Sequence, residues 1–281
     1  LTVLSIDLAH KRYADVGVCS LRVVERQIQA ASIRLAAVGL TGRPMPSLLA
    51  RAIAGLGEQL GARLLLIDGP QAWKAPENGL LHSRVCERQL ATQGKTGLPG
   101  STKPANYTPF IAFSIELFDQ LATFGWARLS DESALRSSTR FALESFPTSA
   151  WRSIGLKPLP GKASTPAGAV QAKFAELSSV FPISIQGAAD LTHDELQALV
   201  AGLAGVAIEG HSDCAIAVAG VPPFELSGHW REGFIINPAR RAAVHQGAAA
   251  DTAPLLAVNS HCSLVSSTPD SAPTVSAVRR S

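Results

Sequence analysis

The run "RLLLID" at residues 63–68 is the stretch that most constrains the fold of this chain. Leu64, Leu65, Leu66 and Ile67 show no polar alternation, so a strand made from them must be covered on both faces. That requires helices on both sides of a sheet, an α/β architecture with this strand near its centre. The strand then stops on Asp68. "LTVLSID" (1–7) repeats the arrangement with Asp7, and "RFALES" (140–145) nearly repeats it with Glu144. A carboxylate at the end of a buried strand is costly unless something positive meets it. Strand ends are also where ligands meet an α/β sheet.

The flanking segments fill in the order. Residues 2–8, 14–24 and 28–38 have strand-like content with short connections, which predicts an antiparallel three-stranded meander. "SLLARAIAGLGEQLGA" (47–62) has helical apolar spacing and stops at Gly61. Residues 69–108 are rich in Gly, Pro and Lys, and a loop of that length in a compact domain is usually functional. A helix over 109–126, a strand over 139–146 and a short helix "AWRSIG" capped by Thr148 or Ser149 follow. Beyond a Pro/Gly/Lys loop at 156–169, "AGAVQAKFAELSSVF" is a helix. "LTHDELQALVAGLAGVAI" (191–208) is another, its start marked at Thr192 by the T-x-x-E capping box with Glu195. "DCAIAVAG" and "GFIINP" suggest a closing hairpin. The expected domain is residues 1–238; residues 239–281, rich in Ala, Ser, Thr and Pro, read as a disordered tail. Strands, helix, strand, helix, strand, helices is the order of an RNase-H-like mixed five-stranded sheet flanked by helices, with loop insertions and a C-terminal hairpin, although periodicity alone does not separate it from other α/β folds.

Composition excludes several classes. A net charge of +3 is too small to argue by itself for nucleic acid. The longest apolar run, "LQALVAGLAGVAI", falls short of the roughly 18 residues of a membrane helix. Cys19, Cys86, Cys214 and Cys262 are scattered without a CxxC pair, which argues against zinc and a disulfide framework. Reduced thiols and no visible signal peptide point to the cytoplasm. The chain starts inside a strand pattern without Met, so a few upstream residues are expected to be missing.

Two motifs fail on inspection. "QGKTG" (93–97) contains the GKT of a phosphate-binding loop, but Gln89 stands where the upstream glycine belongs. "GHSDC" (210–214) resembles a nucleophile elbow, yet Cys214 replaces its last glycine. The acidic set survives. The helix from Thr192 can bring Asp194 to the rim that carries Asp7, Asp68 and Glu144, with Asp190 just before it. Clustered carboxylates repel one another, and a divalent cation is the usual remedy. Each has a plainer reading: Asp68 shaping a turn before Gly-Pro, Asp194 favouring a helix dipole, Glu144 pairing with Arg152 or Lys162. Basic residues gather in the loops at Lys74, Arg84, Arg88, Lys95, Lys103, Arg152, Lys157 and Lys162. Cations around such a centre suit a phosphate backbone or a nucleotide. Trp73 and Tyr107 are candidates to stack on bases.

The segments "IDLA", "LLLIDGP", "SRVCERQLA", "GKTGLPG", "ALESFPTSAWRSIG", "LPGK" and "HDELQALVAGLAG" together resemble the domain of unknown function numbered 429, a family of predicted RNase-H-like nucleases. The resemblance covers roughly residues 1–238. It implies that Asp7, Asp68, Glu144 and Asp194 fall on the family's acidic positions, and Arg84, Lys95 and Lys162 on its recurrent basic ones. The family often has a second aspartate three residues into the last helix, where this chain has Gln197. The resulting expectation is a metal-dependent nuclease acting on nucleic acid. Asp7, Asp68 and Asp194 would hold Mg²⁺ or Mn²⁺, Glu144 would complete the catalytic set, and Arg84, Lys95 and Lys162 would hold phosphate. The rival expectation is a non-catalytic module that keeps the fold and binds nucleic acid or a nucleotide.

Overall fold

The computed structural model describes residues 1–210 and 214–240. His211, Ser212, Cys262 and the tail from residue 241 onward lie outside the described residues. The chain opens with the expected meander: β1 (Thr2–Asp7), β2 (Gly17–Val24) and β3 (Gln27–Ser32). Glu25 and Arg26 link β2 to β3 with both φ angles positive, the handedness that a two-residue hairpin turn requires. β3 is shorter than expected, because the chain turns into a 3-10 segment, Leu35–Val38, that closes on left-handed Gly39. α1 (Pro46–Leu60) starts on a proline, whose missing N–H costs nothing at a first turn, and ends at left-handed Gly61. β4 (Ala62–Asp68) follows at once, parallel to β1.

The long segment after β4 is partly ordered into α2 (Val85–Gln89) and a small hairpin, β5 (Lys95–Leu98) with β6 (Ser101–Lys103). α3 (Thr108–Thr123), β7 (Ala127–Arg128) and β8 (Phe141–Ser145) come next. α4 (Pro147–Ser153) begins on Pro147 rather than behind Thr148 or Ser149, since proline is preorganised for the first helical position. α5 (Ala169–Val180), β9 (Ile183–Ile185) and α6 (His193–Ile208) precede the last hairpin, β10 (Cys214–Leu226) and β11 (His229–Arg240).

The fold is α/β, with a mixed sheet covered by helices. Among the described residues the sheet has nine strands rather than five, in the order β10-β11-β8-β4-β1-β2-β3-β9, with β7 also on β8. The extra strands extend both edges: three-residue β9 pairs with β3, and the final hairpin joins beyond β8. A three-residue strand carries too little alternation to be read from sequence.

Both faces of the central strands are covered, as "RLLLID" requires. Leu4, Ile6, Leu65 and Ile67 pack with Leu49 and Ile53 of α1 and Leu117 and Leu121 of α3. Val3, Leu21, Leu64 and Leu66 pack with Leu196, Leu199 and Leu203 of α6. Each such fully buried side chain contributes about 1.5–3 kcal/mol relative to exposure. α6 is apolar all round because it is covered all round, by the sheet on one side and by α4, α5 and the β10–β11 hairpin on others. Its glycines set its distance from the sheet. A Cβ at Gly202 would lie 2.5 Å from Leu21, and one at Gly205 would lie 2.4 Å from Val3. No helix among the described residues is long and apolar enough to cross a membrane.

Candidate functional site

The parallel pairing of β1 and β4 sets Asp7 directly beside Asp68 at the ends of the two central strands. Ile6 and Ile67 face α1 and α3, so the next residue on each strand turns to the α6 side. Two carboxyls this close share a proton. Burial pushes the Asp7 carboxyl well above its ordinary value, and Asp68, which accepts a hydrogen bond from it, and then Asp194 push it further, while Lys162 pulls it down. Burial also pushes Asp68 up, to about 7, with the bond from Asp7 acting against the shift and the charge of Glu144 adding to it. Negative charge is therefore in excess at this edge, and a cation would relieve it.

The first turn of α6 reaches the same edge. Thr192 Oγ1 accepts from the Glu195 N–H at 3.3 Å, and Glu195 Oε2 accepts from the Thr192 N–H at 2.8 Å, the reciprocal cap expected from the sequence. Ser32 on β3 donates to Glu195 Oε1 at 2.9 Å, tying the cap to the sheet. The helix end comes so close to β2 that a Cβ on Gly17 would lie 2.1 Å from the Asp194 carbonyl oxygen. Only glycine fits there.

Asp194 thereby joins Asp7, and His193 comes with it. Ligand atoms of Asp7, His193 and Asp194 all lie within 4.8 Å of one another. His193 Nε2 is 2.9 Å from the Pro160 carbonyl, which only accepts, so that nitrogen carries the proton. In the neutral ring Nδ1 is then a lone pair, yet it faces Asp194 Oδ1 at 3.2 Å. Two acceptors at that distance call for a proton or a metal ion between or beside them. A ring N–H fixed on a backbone carbonyl, with the other nitrogen aimed at carboxylates, is the usual setting of a metal-binding histidine. Lys162 already supplies one cation: its ammonium donates to Asp194 Oδ2 and, at 2.9 Å, to Asp15 Oδ1. Burial disfavours its charge, but the two carboxylates more than offset this and hold its pKa above the ordinary lysine value.

Glu144 does not join this group. It pairs in register with Ile67, not with Asp68, and that single step of parity turns it away from Asp7 and Asp194, although it lines the same pocket as Asp68 and its charge still acts on that carboxyl. There it meets Arg84, whose Nη1 and Nη2 donate to its two oxygens at 2.8 and 2.5 Å, and the Gln71 N–H donates at 2.9 Å. Arg84 also donates through Nε to Glu87 at 3.2 Å and is 1% exposed. Glu144 and Arg84, expected as a catalytic acid and a phosphate ligand, form a buried bidentate ion pair that pins the 69–94 segment to the sheet. Lys162, expected on phosphate, is engaged by carboxylates. Asp190 is exposed in a 3-10 turn and is not part of the group.

Beside Asp68 opens a pocket of about 440 Å³ whose lining includes Lys95, Tyr107, Arg152 and Gln197. Lys95 Nζ is held by the Thr92 carbonyl and, at 3.2 Å, by Thr92 Oγ1. Gln197 does not offer its oxygen to a metal: Oε1 accepts from the Trp151 indole N–H at 2.7 Å. An indole nitrogen only donates, so the amide is oriented by it and the NH₂ is left for the pocket.

Sequence reasoning missed His193, although its place just behind the Thr192 cap, next to Asp194, was a usable signal. It also missed Asp15, whose carboxyl Arg12 and then Lys162 hold down at about 2. No protein-family model, curated protein or solved structure matches this chain.

Proposed function

We propose that this chain is a metal-dependent phosphodiesterase of RNase-H-like architecture that acts on nucleic acid. The observation that carries the reading is the pair Asp7–Asp68 at the ends of adjacent central strands, with Asp194 and His193 brought over it by the first turn of α6. The order β3-β2-β1-β4-β8, with β2 antiparallel to its neighbours and β4 and β8 parallel to β1, fits that architecture. The sequence segments that resemble a family of predicted nucleases motivate the same reading, although no family model matches the chain.

Asp7, Asp68, Asp194 and His193 fit a divalent ion by their chemistry. Carboxylates suit Mg²⁺ and Mn²⁺, and an imidazole among them favours Mn²⁺. A bound ion there would acidify a water and polarise a phosphoryl oxygen. The protein groups do the rest. Asp7, which shares a proton with Asp68, would be freed of it by a bound cation, and the Pro160 carbonyl holds the His193 ring in place. Lys95 and Arg152 draw the phosphate into the pocket. Hydrolysis forms a bond from the water oxygen to phosphorus and breaks the bond from phosphorus to the leaving sugar oxygen, which takes up the proton.

A non-catalytic nucleic-acid-binding module is the second reading. The observation favouring it is Lys162, whose ammonium already neutralises Asp194. Calorimetric titration with Mn²⁺, paired with cleavage of labelled single-stranded and duplex substrates, separates the two. The wild type should bind Mn²⁺ and cleave; Asp7→Asn should lose both, and His193→Ala should bind Mn²⁺ roughly tenfold more weakly or worse. A wild type that binds nucleic acid but no Mn²⁺ refutes the enzyme reading.

A further inference from the structure

We infer that the pocket beside Asp68 accepts one nucleotide unit, its phosphate turned toward Asp68 and its base laid on Tyr107. The inference rests on the phosphodiesterase reading and specifies its substrate: the last nucleotide of a strand, not the interior of a duplex.

Size argues first. A volume of about 440 Å³ falls within the range of small-ligand sites. The loop around Thr92–Thr96 with Tyr107 and Phe110 lines it, and so do Leu159 and Gly161 from the loop after α4. A site for a continuous strand needs an open groove that follows the backbone.

Charge argues second. Of the pocket's cations, Arg84 is fully engaged by Glu144 and Glu87. Lys95 and Arg152 form no ion pair with a carboxylate among the described residues. The Gln197 NH₂, oriented by Trp151, adds a neutral donor on the same lining. An anion is the missing partner of this set, and Asp68 brings the proposed metal edge to it.

The aromatic wall argues third. Tyr107 is 42% exposed, unusual for a side chain with so much apolar area. It is nevertheless held in place. A Cβ at residue 94 would lie 2.6 Å from its ring, so Gly94 lets the ring rest on bare backbone. A fixed aromatic with an open face is a stacking platform for any base.

The test uses the full chain and adenosine 5′-monophosphate, titrated with and without Mn²⁺ against inorganic phosphate. The nucleotide should bind about tenfold tighter than phosphate or better, and Tyr107→Ala or Gly94→Ala should erase that advantage. Arg152→Ala should weaken both ligands. A linear single strand should be shortened from its end while a covalently closed circle of the same sequence survives. Release of phosphate from the mononucleotide with the linear strand intact is phosphomonoester hydrolysis and overturns the inference. Equal affinity for nucleotide and phosphate, no effect of Tyr107→Ala, or cleavage of the circle at the linear rate overturns the inference. If Mn²⁺ binding through Asp68 persists in that case, the phosphodiesterase reading stands without it. Loss of Mn²⁺ binding with nucleotide affinity intact fells that reading alone.

Discussion

Asp68→Asn should make the protein more stable at neutral and alkaline pH and at the same time abolish its response to Mn²⁺. The folded pKa of Asp68 is about 7 against an ordinary 3.8, a rise of roughly three units. At about 1.4 kcal/mol per unit this corresponds to at most about 4 kcal/mol. Asp68 is half-buried and solvent screens it, so about 2–4 kcal/mol is the working range. The folded state holds the proton more tightly than the unfolded chain does. Stability is therefore full below about pH 4 and is lost as pH rises toward 7. Asparagine removes this titration and can donate its amide to an ionised Asp7. Urea denaturation from pH 4 to 8 reads the effect directly: the wild-type curve should slope downward with pH and the variant curve should be flatter. In thermal melts at pH 8, each kcal/mol shifts Tm by about 2–4 °C for a domain of this size, so a gain of roughly 4–16 °C is expected. Mn²⁺ at a thousand times its Kd should cancel or reverse the ranking, because it adds about 4.1 kcal/mol to the wild type. A variant that is less stable at pH 8 and keeps the parental slope would refute the argument. Asp68 would then be a structural carboxylate.

Arg84→Ala should cost about 3–5 kcal/mol in urea denaturation, because it strands Glu144 as an uncompensated buried charge; pairing it with Glu144→Gln should recover much of the loss. Gly17→Ala should cost about 1–3 kcal/mol, since the new methyl meets the Asp194 backbone at 2.1 Å, and calorimetry should show weaker Mn²⁺ binding as the first turn of α6 is displaced. Lys162→Met should tighten Mn²⁺ binding several-fold by removing the ammonium that competes for Asp194, a gain that shrinks at high salt if the competition is electrostatic. An unchanged Mn²⁺ affinity with weaker nucleic-acid binding would instead return Lys162 to the phosphate.

The elements that were legible from sequence are those whose signals are local. "RLLLID" demanded cover on both faces and has it, because four apolar residues in succession leave no face for water. Thr192 and Glu195 marked the start of α6 because a capping box is a contact between residues three apart. Gly61 ended α1 for a similarly local reason. Asp7 and Asp68 stood out because a polar residue closing an apolar strand is visible in one dimension. What those residues meet was decided elsewhere. Glu144 carries the same strand-end signal as Asp68, but the register of β8 on β4 turns it away from Asp7 and Asp194, and Arg84, distant in sequence, arrives through a long loop to claim both its oxygens. Gln197 points its amide by way of Trp151, forty-six residues earlier in the chain. His193 became notable only when the close packing of α6, permitted by Gly17, Gly202 and Gly205, carried it to the end of β1. A strand's alternation tells which residues share a face. Which face meets which partner depends on register and on helix-to-sheet distance, and both are set by contacts between residues far apart in the chain.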